Sequence, residues 1–344
     1  MTQFVGKVSL EYIDSKQAKN ILGKIQIKID DFQLKRRYLS FIYSVYKKYG
    51  QDKGGYQSAL IAYYGFLSFF PLLVAILSVA QLSILRSQHL RSDVLKALNT
   101  YLPIAGKQLQ NQVHTKQGAS LALGISLLLT IYGSRGVANS IQSAMNHIWQ
   151  VPMALRAGFP KDAIRSIEII FIGGFGFIVS GILSSYAAGL HDPTYMRLLT
   201  FLGSLIVIFV SLMIVFKLSV STMHSYKDFL YGSIVAAIGL QIVQLLAGFL
   251  ITHELRHFNS LYGSLGLVFV VLFWIYLQAR ILLYASEFDT VRVLKLWPRS
   301  FTGFRLTEAD KLALTQYVRR EIYIDPKKED VGIRISTEKN NRRS

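Results

Sequence analysis

The chain has 344 residues, 51% of them hydrophobic and only 17% charged, where a soluble domain carries about 25% charged residues. That excludes a disordered chain and argues against an ordinary soluble enzyme. The absence of cysteine excludes disulfides, thiolate metal sites and cysteine nucleophiles, and the net charge of +18 calls for an anionic partner, either nucleic acid or a membrane surface.

Residues 1–57 form a basic arm with no apolar stretch of the signal-peptide kind. Within it, Asp31–Tyr49 has helical spacing: Tyr38, Phe41, Ile42, Val45, Tyr46 and Tyr49 make an apolar stripe. Lys35, Arg36 and Arg37 precede the stripe, and Lys47 and Lys48 sit on its polar side. Two settings fit this helix: the membrane interface, or the protein's own inner face.

Residues 58–288 predict an all-α membrane domain of six spans, since a bilayer core needs about 20 apolar residues in helix. The spans are Ala59–Leu82, Ala119–Ala138, Ile164–Leu190, Leu198–Phe216, Phe229–Ile251 and Leu261–Ala285. Pro71 falls mid-span in the first and removes a hydrogen-bond donor there, so it is the expected gating kink. Between the first two spans, the external loop 86–118 predicts two short amphipathic helices broken at Pro103 and Gly106. The second helix is expected to run past its span, through Ile141, Met145 and Ile148, until Val151-Pro152 stops it. The third is small-sided, with Gly176, Ser180 and Ser184 four apart, the spacing of close helix contact. Residues 289–344 form a basic tail, partly disordered, in which Thr307-Glu308-Ala309-Asp310 predicts a capping box opening a short helix to about Arg320.

Six spans place both termini on one side. Most of the 38 Lys+Arg fall on that side, which predicts cytoplasmic termini in the inner membrane. Bases that flank spans and fill tails speak for membrane lipid and against nucleic acid.

Six charges are expected at one depth near the inner end of the spans: Arg135, Glu168, Arg280, Glu287, Lys217 and Asp228. They predict a polar vestibule in which Arg135 and Arg280 hold an anionic headgroup while Glu168 and Glu287 hold the arginines. The opposing reading is structural pairing and snorkelling. Gln241, Gln244 and Gln278 read as interhelical glue. His253-Glu254-Leu255-Arg256-His257 matches the H-E-x-x-H zinc pattern, with no supported third ligand, so His253 and His257 are weak metal candidates. No P-loop, G-x-S-x-G or dinucleotide fingerprint occurs, and neither catalysis nor a cofactor is expected.

Three separated stretches resemble one known family. They are Ser58-Ala59-Leu60-Ile61-Ala62-Tyr63-Tyr64-Gly65-Phe66-Leu67-Ser68-Phe69-Phe70-Pro71, Ala144-Met145-Asn146-His147-Ile148-Trp149-Gln150-Val151-Pro152, and Leu261-Tyr262-Gly263-Ser264-Leu265-Gly266 leading to Phe273-Trp274-Ile275-Tyr276-Leu277. All are similar to the YihY/BrkB family of polytopic bacterial membrane proteins. The resemblance implies six helices, an inner-membrane location and a role in moving envelope lipid. It carries over no catalytic residue, and the family's older ribonuclease BN label is held to be mistaken. Two departures stand out: the family's Gly-Ala-Glu reads Ala285-Ser286-Glu287 here, and H-E-x-x-H is not a family feature.

The expectation is therefore a protein that binds and translocates an anionic lipid or lipid-linked amphiphile. The rivals are a non-transporting scaffold or regulator of envelope integrity and, least favoured, a zinc hydrolase through His253, Glu254 and His257. Expected partners are anionic lipids, with a second copy of the chain or an envelope protein as further candidates.

Overall fold

A computed structural model describes residues 30, 34–81, 116–189, 194–253, 263–301 and 306–321. Every regular element among them is helical. Helix α1 (Arg37–Gln51) is followed by α2 (Gly54–Gln81) and α3 (Lys116–Ile148). Then come α4 (Lys161–Gly189), α5 (Thr194–Ser219), α6 (Leu230–His253), α7 (Gly263–Val293) and α8 (Glu308–Arg320). Residues 1–29, 82–115, with the two expected external helices, 254–262, with Glu254 and His257, and 322–344 lie outside the described part.

Helix ends follow local chemistry. Lys53, Gln150 and Lys295 follow α1, α3 and α7 with φ of 54°, 56° and 54°, the left-handed conformation that terminates helices. Val151 N–H then reaches back to the Asn146 carbonyl, and Leu296 N–H to that of Val291. Helix α8 opens on the expected capping box, with Thr307 and Asp310 exchanging side chain-to-backbone bonds. Helix α2 continues through Pro71.

The long helices pack in chain order, α2 on α3, α3 on α4, and so on to α6 on α7, and α7 closes the ring on α2. Glycines permit the closest approaches: Gly133 and Gly136 of α3 lie on Ser68 and Tyr64 of α2, and Gly176 of α4 lies on Ser211 of α5. Ser211 also donates across that contact to the Ile172 carbonyl at 2.8 Å. The last turns of α3 fill the middle of the ring, where Met145, Ile148 and Trp149 pack with Phe216, Phe229 and Leu283. Away from that end α3 bares Ile125, Leu128, Ile131 and Tyr132. Apolar surface of this extent belongs in hydrocarbon.

Three stretches among the described residues are long and apolar enough to cross a bilayer: Lys161–Gly181, Leu198–Ser219 and Val268–Val293. Leu230–Gln244 is a shorter apolar helix. They coincide with the third, fourth, sixth and fifth expected spans.

Helix α1 resolves its two proposed settings by dividing its stripe. Val45 and Tyr49 are buried against the bundle, and Phe41 meets Phe288 and Trp297 edge-on. Tyr38, Ile42 and Tyr46 face outward. Lys48 is a correction: instead of lying on a solvated face, it is fully buried, because carboxylates and a carbonyl wait for it inside.

Candidate functional site

The polar groups concentrate where α1, the end of α3, the end of α7 and α8 meet. Lys48 of α1 is the centre. Its Nζ donates to Asp52 Oδ2 at 2.6 Å, to Glu287 Oε2 of α7 at 2.7 Å and to the Ile148 carbonyl at 2.7 Å. An ammonium has three donors, and all three are used. Asp52 Oδ1 in turn accepts Arg320 Nη1 of α8 at 2.8 Å and Gln150 Nε2 at 3.2 Å. Lys48, Asp52 and Glu287 are wholly shielded from solvent.

Burial works against the charge on Lys48, but Asp52 and Glu287 outweigh it and hold the ammonium above its ordinary pKa. Burial likewise opposes the charge on Asp52, and Lys48, His147 and Arg320 overcome it, so the carboxyl is held below the usual range. His147, beside Asp52 at 3.9 Å, is driven down to about 4 by burial and then by Arg320. It is therefore neutral at physiological pH. Burial and Asp52 push the Tyr317 phenol up to about 12.

A second cluster ties α8 to α1. Asp310 accepts Lys47 Nζ at 3.1 Å, Arg299 Nε at 3.0 Å and the Ser300 N–H at 2.9 Å, besides capping α8. Burial opposes its charge, but Ser300, Lys47, Thr307 and Arg299 hold the carboxyl below its ordinary pKa.

Arg280 of α7 has a different environment. Its guanidinium lies 5.8 Å from the Tyr49 ring centre and 5.7 Å from those of Tyr276 and Tyr284. Tyr49 stacks on Tyr284 at 3.8 Å, and its hydroxyl meets Ser58 Oγ at 3.2 Å. Arg280 is partly exposed, and among the described residues no ion pair joins it to a carboxylate. Nearly equal distances to two stacked rings place the guanidinium beside the Tyr49–Tyr284 stack, where Tyr284 is a hydrogen-bond partner, and the rest of its five donors are left for an oxyanion.

The structure places the other expected residues apart. Arg135 and Glu168 are exposed on α3 and α4, and among the described residues no ion pair joins them. Glu287 pairs with Lys48 of α1. Lys217 sits over the Tyr226 ring at 3.4 Å, and Asp228 caps Ser225. His253 closes α6, while Glu254 and His257 lie outside the described residues. No group of three or more metal-ligating side chains occurs among the described residues. Sequence reasoning missed both clusters: Asp52 with Arg320 around Lys48, and Asp310 with Arg299 beside Lys47. The one local signal was the Lys48–Asp52 spacing of four, which places both on one helix face.

The family model described as "Virulence factor BrkB" matches residues 45–296, most of the chain, from the second half of α1 to the end of α7. The chain belongs to the BrkB family. Among curated relatives of this BrkB-family chain, the putative ribonuclease-like protein YfkH of Bacillus subtilis is 22% identical over 270 residues, covering 74% of this chain and 95% of that one. A UPF0761 membrane protein of Chlorobium phaeobacteroides is 25% identical over 255 residues, covering 71% of this chain and 55% of its own length. Another, from Chlorobium chlorochromatii, is 26% identical over 245 residues, covering 66% and 54%. The chain thus spans nearly all of YfkH and just over half of the UPF0761 relatives. No solved structure matches. Family and apolar helices together make this a membrane protein.

Proposed function

We propose that this BrkB-family protein crosses the inner membrane six times with both termini in the cytoplasm, and that it binds and translocates an anionic lipid or lipid-linked amphiphile. Arg280, set beside Tyr49, Tyr276 and Tyr284 with no carboxylate paired to it among the described residues, carries the reading. It lies midway along the apolar stretch Val268–Val293, on the α7 face that meets Tyr49 of α1, and in this reading a phosphate oxygen reaches it there and accepts its donors. Arg135, exposed on α3, is the second headgroup contact in this proposal. Glu287 does not serve it as an arginine partner, because Lys48 holds that carboxylate.

The test is binding and transbilayer movement of labelled phosphatidylglycerol in proteoliposomes. Arg280→Gln is expected to reduce both at least tenfold, and Arg135→Ala to reduce movement less. Unchanged binding in Arg280→Gln sinks the site, and unchanged lipid movement in empty and protein-loaded vesicles sinks the activity.

A further inference from the structure

Glu287 holds the one carboxylate of the Lys48 cluster with an oxygen left over. Its Oε2 accepts Lys48, whereas Oε1 is buried and accepts no hydrogen bond. Lys48 has no donor left to give it, since Asp52 and the Ile148 carbonyl take the other two. A buried lone pair without a donor is an unmet desolvation cost. Around it the charged and titratable groups are few. Lys48 comes from α1, Asp52 from the turn after it and neutral His147 from α3, with Arg320 and Tyr317 from α8. Arg320 also meets Glu321 at 3.1 Å, and the fully buried set of Lys48, Asp52 and Glu287 carries one cation against two carboxylates, so one added proton brings that set to neutrality. Asp289, two residues on, meets Arg292 at 3.5 Å and presses on Gly232 of α6.

The same two helices carry the Arg280 surroundings. Tyr49 follows Lys48 directly, and Tyr284, on which it stacks, lies one turn before Glu287. Lys48–Glu287 and Tyr49–Tyr284 are thus neighbouring contacts of one α1–α7 seam.

We propose that Glu287 is a proton-accepting site, and that its charge state sets how firmly α1, with Tyr49, is held against α7. In the step, a hydronium ion transfers its proton to Oε1. One O–H bond breaks, one forms, and water departs. Lys48 keeps its three protons, and its contact with Glu287 changes from ion pair to ion–dipole. The consequence for Arg280 rests on the lipid reading above; proton uptake does not.

The chain lacks cysteine, so spin labels go on cleanly at Ile42→Cys of α1 and Lys161→Cys of α4, both exposed. Label-to-label distances are measured on the full chain in proteoliposomes at about pH 10 and about pH 5, which bracket the range, up to about 8–9, in which fully buried carboxyls are known to titrate. The expected result is a longer, broader distribution in acid. Glu287→Gln fixes that acid distribution at both pH values, and Glu287→Asp keeps a pH response. Infrared difference spectra of the parent protein are expected to gain a protonated-carboxyl band in acid, which Glu287→Asp shifts. A distribution insensitive to pH in the parent overturns the proposal. So does a pH response that survives Glu287→Gln and vanishes in His147→Gln. A response retained in Arg280→Gln supports the proton site independently of the lipid reading.

Discussion

Lys48 Nζ lies 2.7 Å from Glu287 Oε2, an ion pair spanning 239 residues of chain and fastening α1 to the last long helix. Breaking one partner of a fully buried pair costs about 3–5 kcal/mol, because the other is left charged and unmet. Lys48→Met is expected to lose stability on that scale. Asp52 keeps Arg320 in that variant, so Glu287 is the stranded group. Adding Glu287→Gln should therefore restore about 1–3 kcal/mol, read as a double-mutant cycle of detergent-phase unfolding. Additive losses in the cycle would show that the pair is not coupled. Lys48→Arg should not rescue, since a planar fork cannot replace a compact ammonium with three acceptors.

Acid is expected to destabilise the protein in two separate windows. His147 titrates at about 4 in the fold and near 6.5 unfolded, so the unfolded chain binds the extra proton between those values. Stability then falls as pH drops from about 6.5 to about 4. Asp52 has a depressed folded pKa, so its contribution is present above its ordinary value and is lost below that, as pH falls through the folded one. Lys48, raised in the fold, contributes below its ordinary pKa and loses that contribution only as pH rises through the folded value. Melting temperatures of the parent and of His147→Asn across pH 4–7 check the first window: the variant's curve should be flatter.

Two glycines are expected to respond oppositely to alanine. A Cβ at Gly232 would strike the Asp289 carboxylate and the Ala285 carbonyl, and the backbone atom cannot swing away. Gly232→Ala should cost about 1–3 kcal/mol through overpacking of α6 on α7. Gly124 of α3 has open space around it, so Gly124→Ala should be neutral or gain up to about 1 kcal/mol of helix propensity. Unfolding midpoints of both variants decide it, and equal losses would contradict the α6–α7 contact.

The C-terminal tail should divide sharply at residue 321. Helix α8 carries Asp310, bound to Lys47 and Arg299, and Arg320, bound to Asp52. Deleting residues 304–344 removes those partners from buried groups and is expected to abolish stable expression or cost about 3–5 kcal/mol. Deleting 322–344 removes none of these pairs and should leave the melting temperature unchanged. If both deletions behave alike in thermal unfolding, α8 is not part of the fold's foundation.

The helical class, the extension of α3 to Ile148, the capping box at Thr307 and the small-residue face of α4 were all legible in the chain. Each rests on local physics: apolar length, a proline stop, a capping hydroxyl, or a missing side chain at fixed spacing. The family was legible as well, because its stretches are contiguous. The fate of the charges was not legible. Lys48 and Lys47 are adjacent and look alike in sequence, yet one is sealed among Asp52, Glu287 and the Ile148 carbonyl while the other reaches Asp310. Glu287 was expected to hold an arginine, but its place on a helix does not reveal what packs against it. Burial and pairing of a charge depend on which distant segments the bundle brings together, and α1, α3, α7 and α8 meet only in three dimensions.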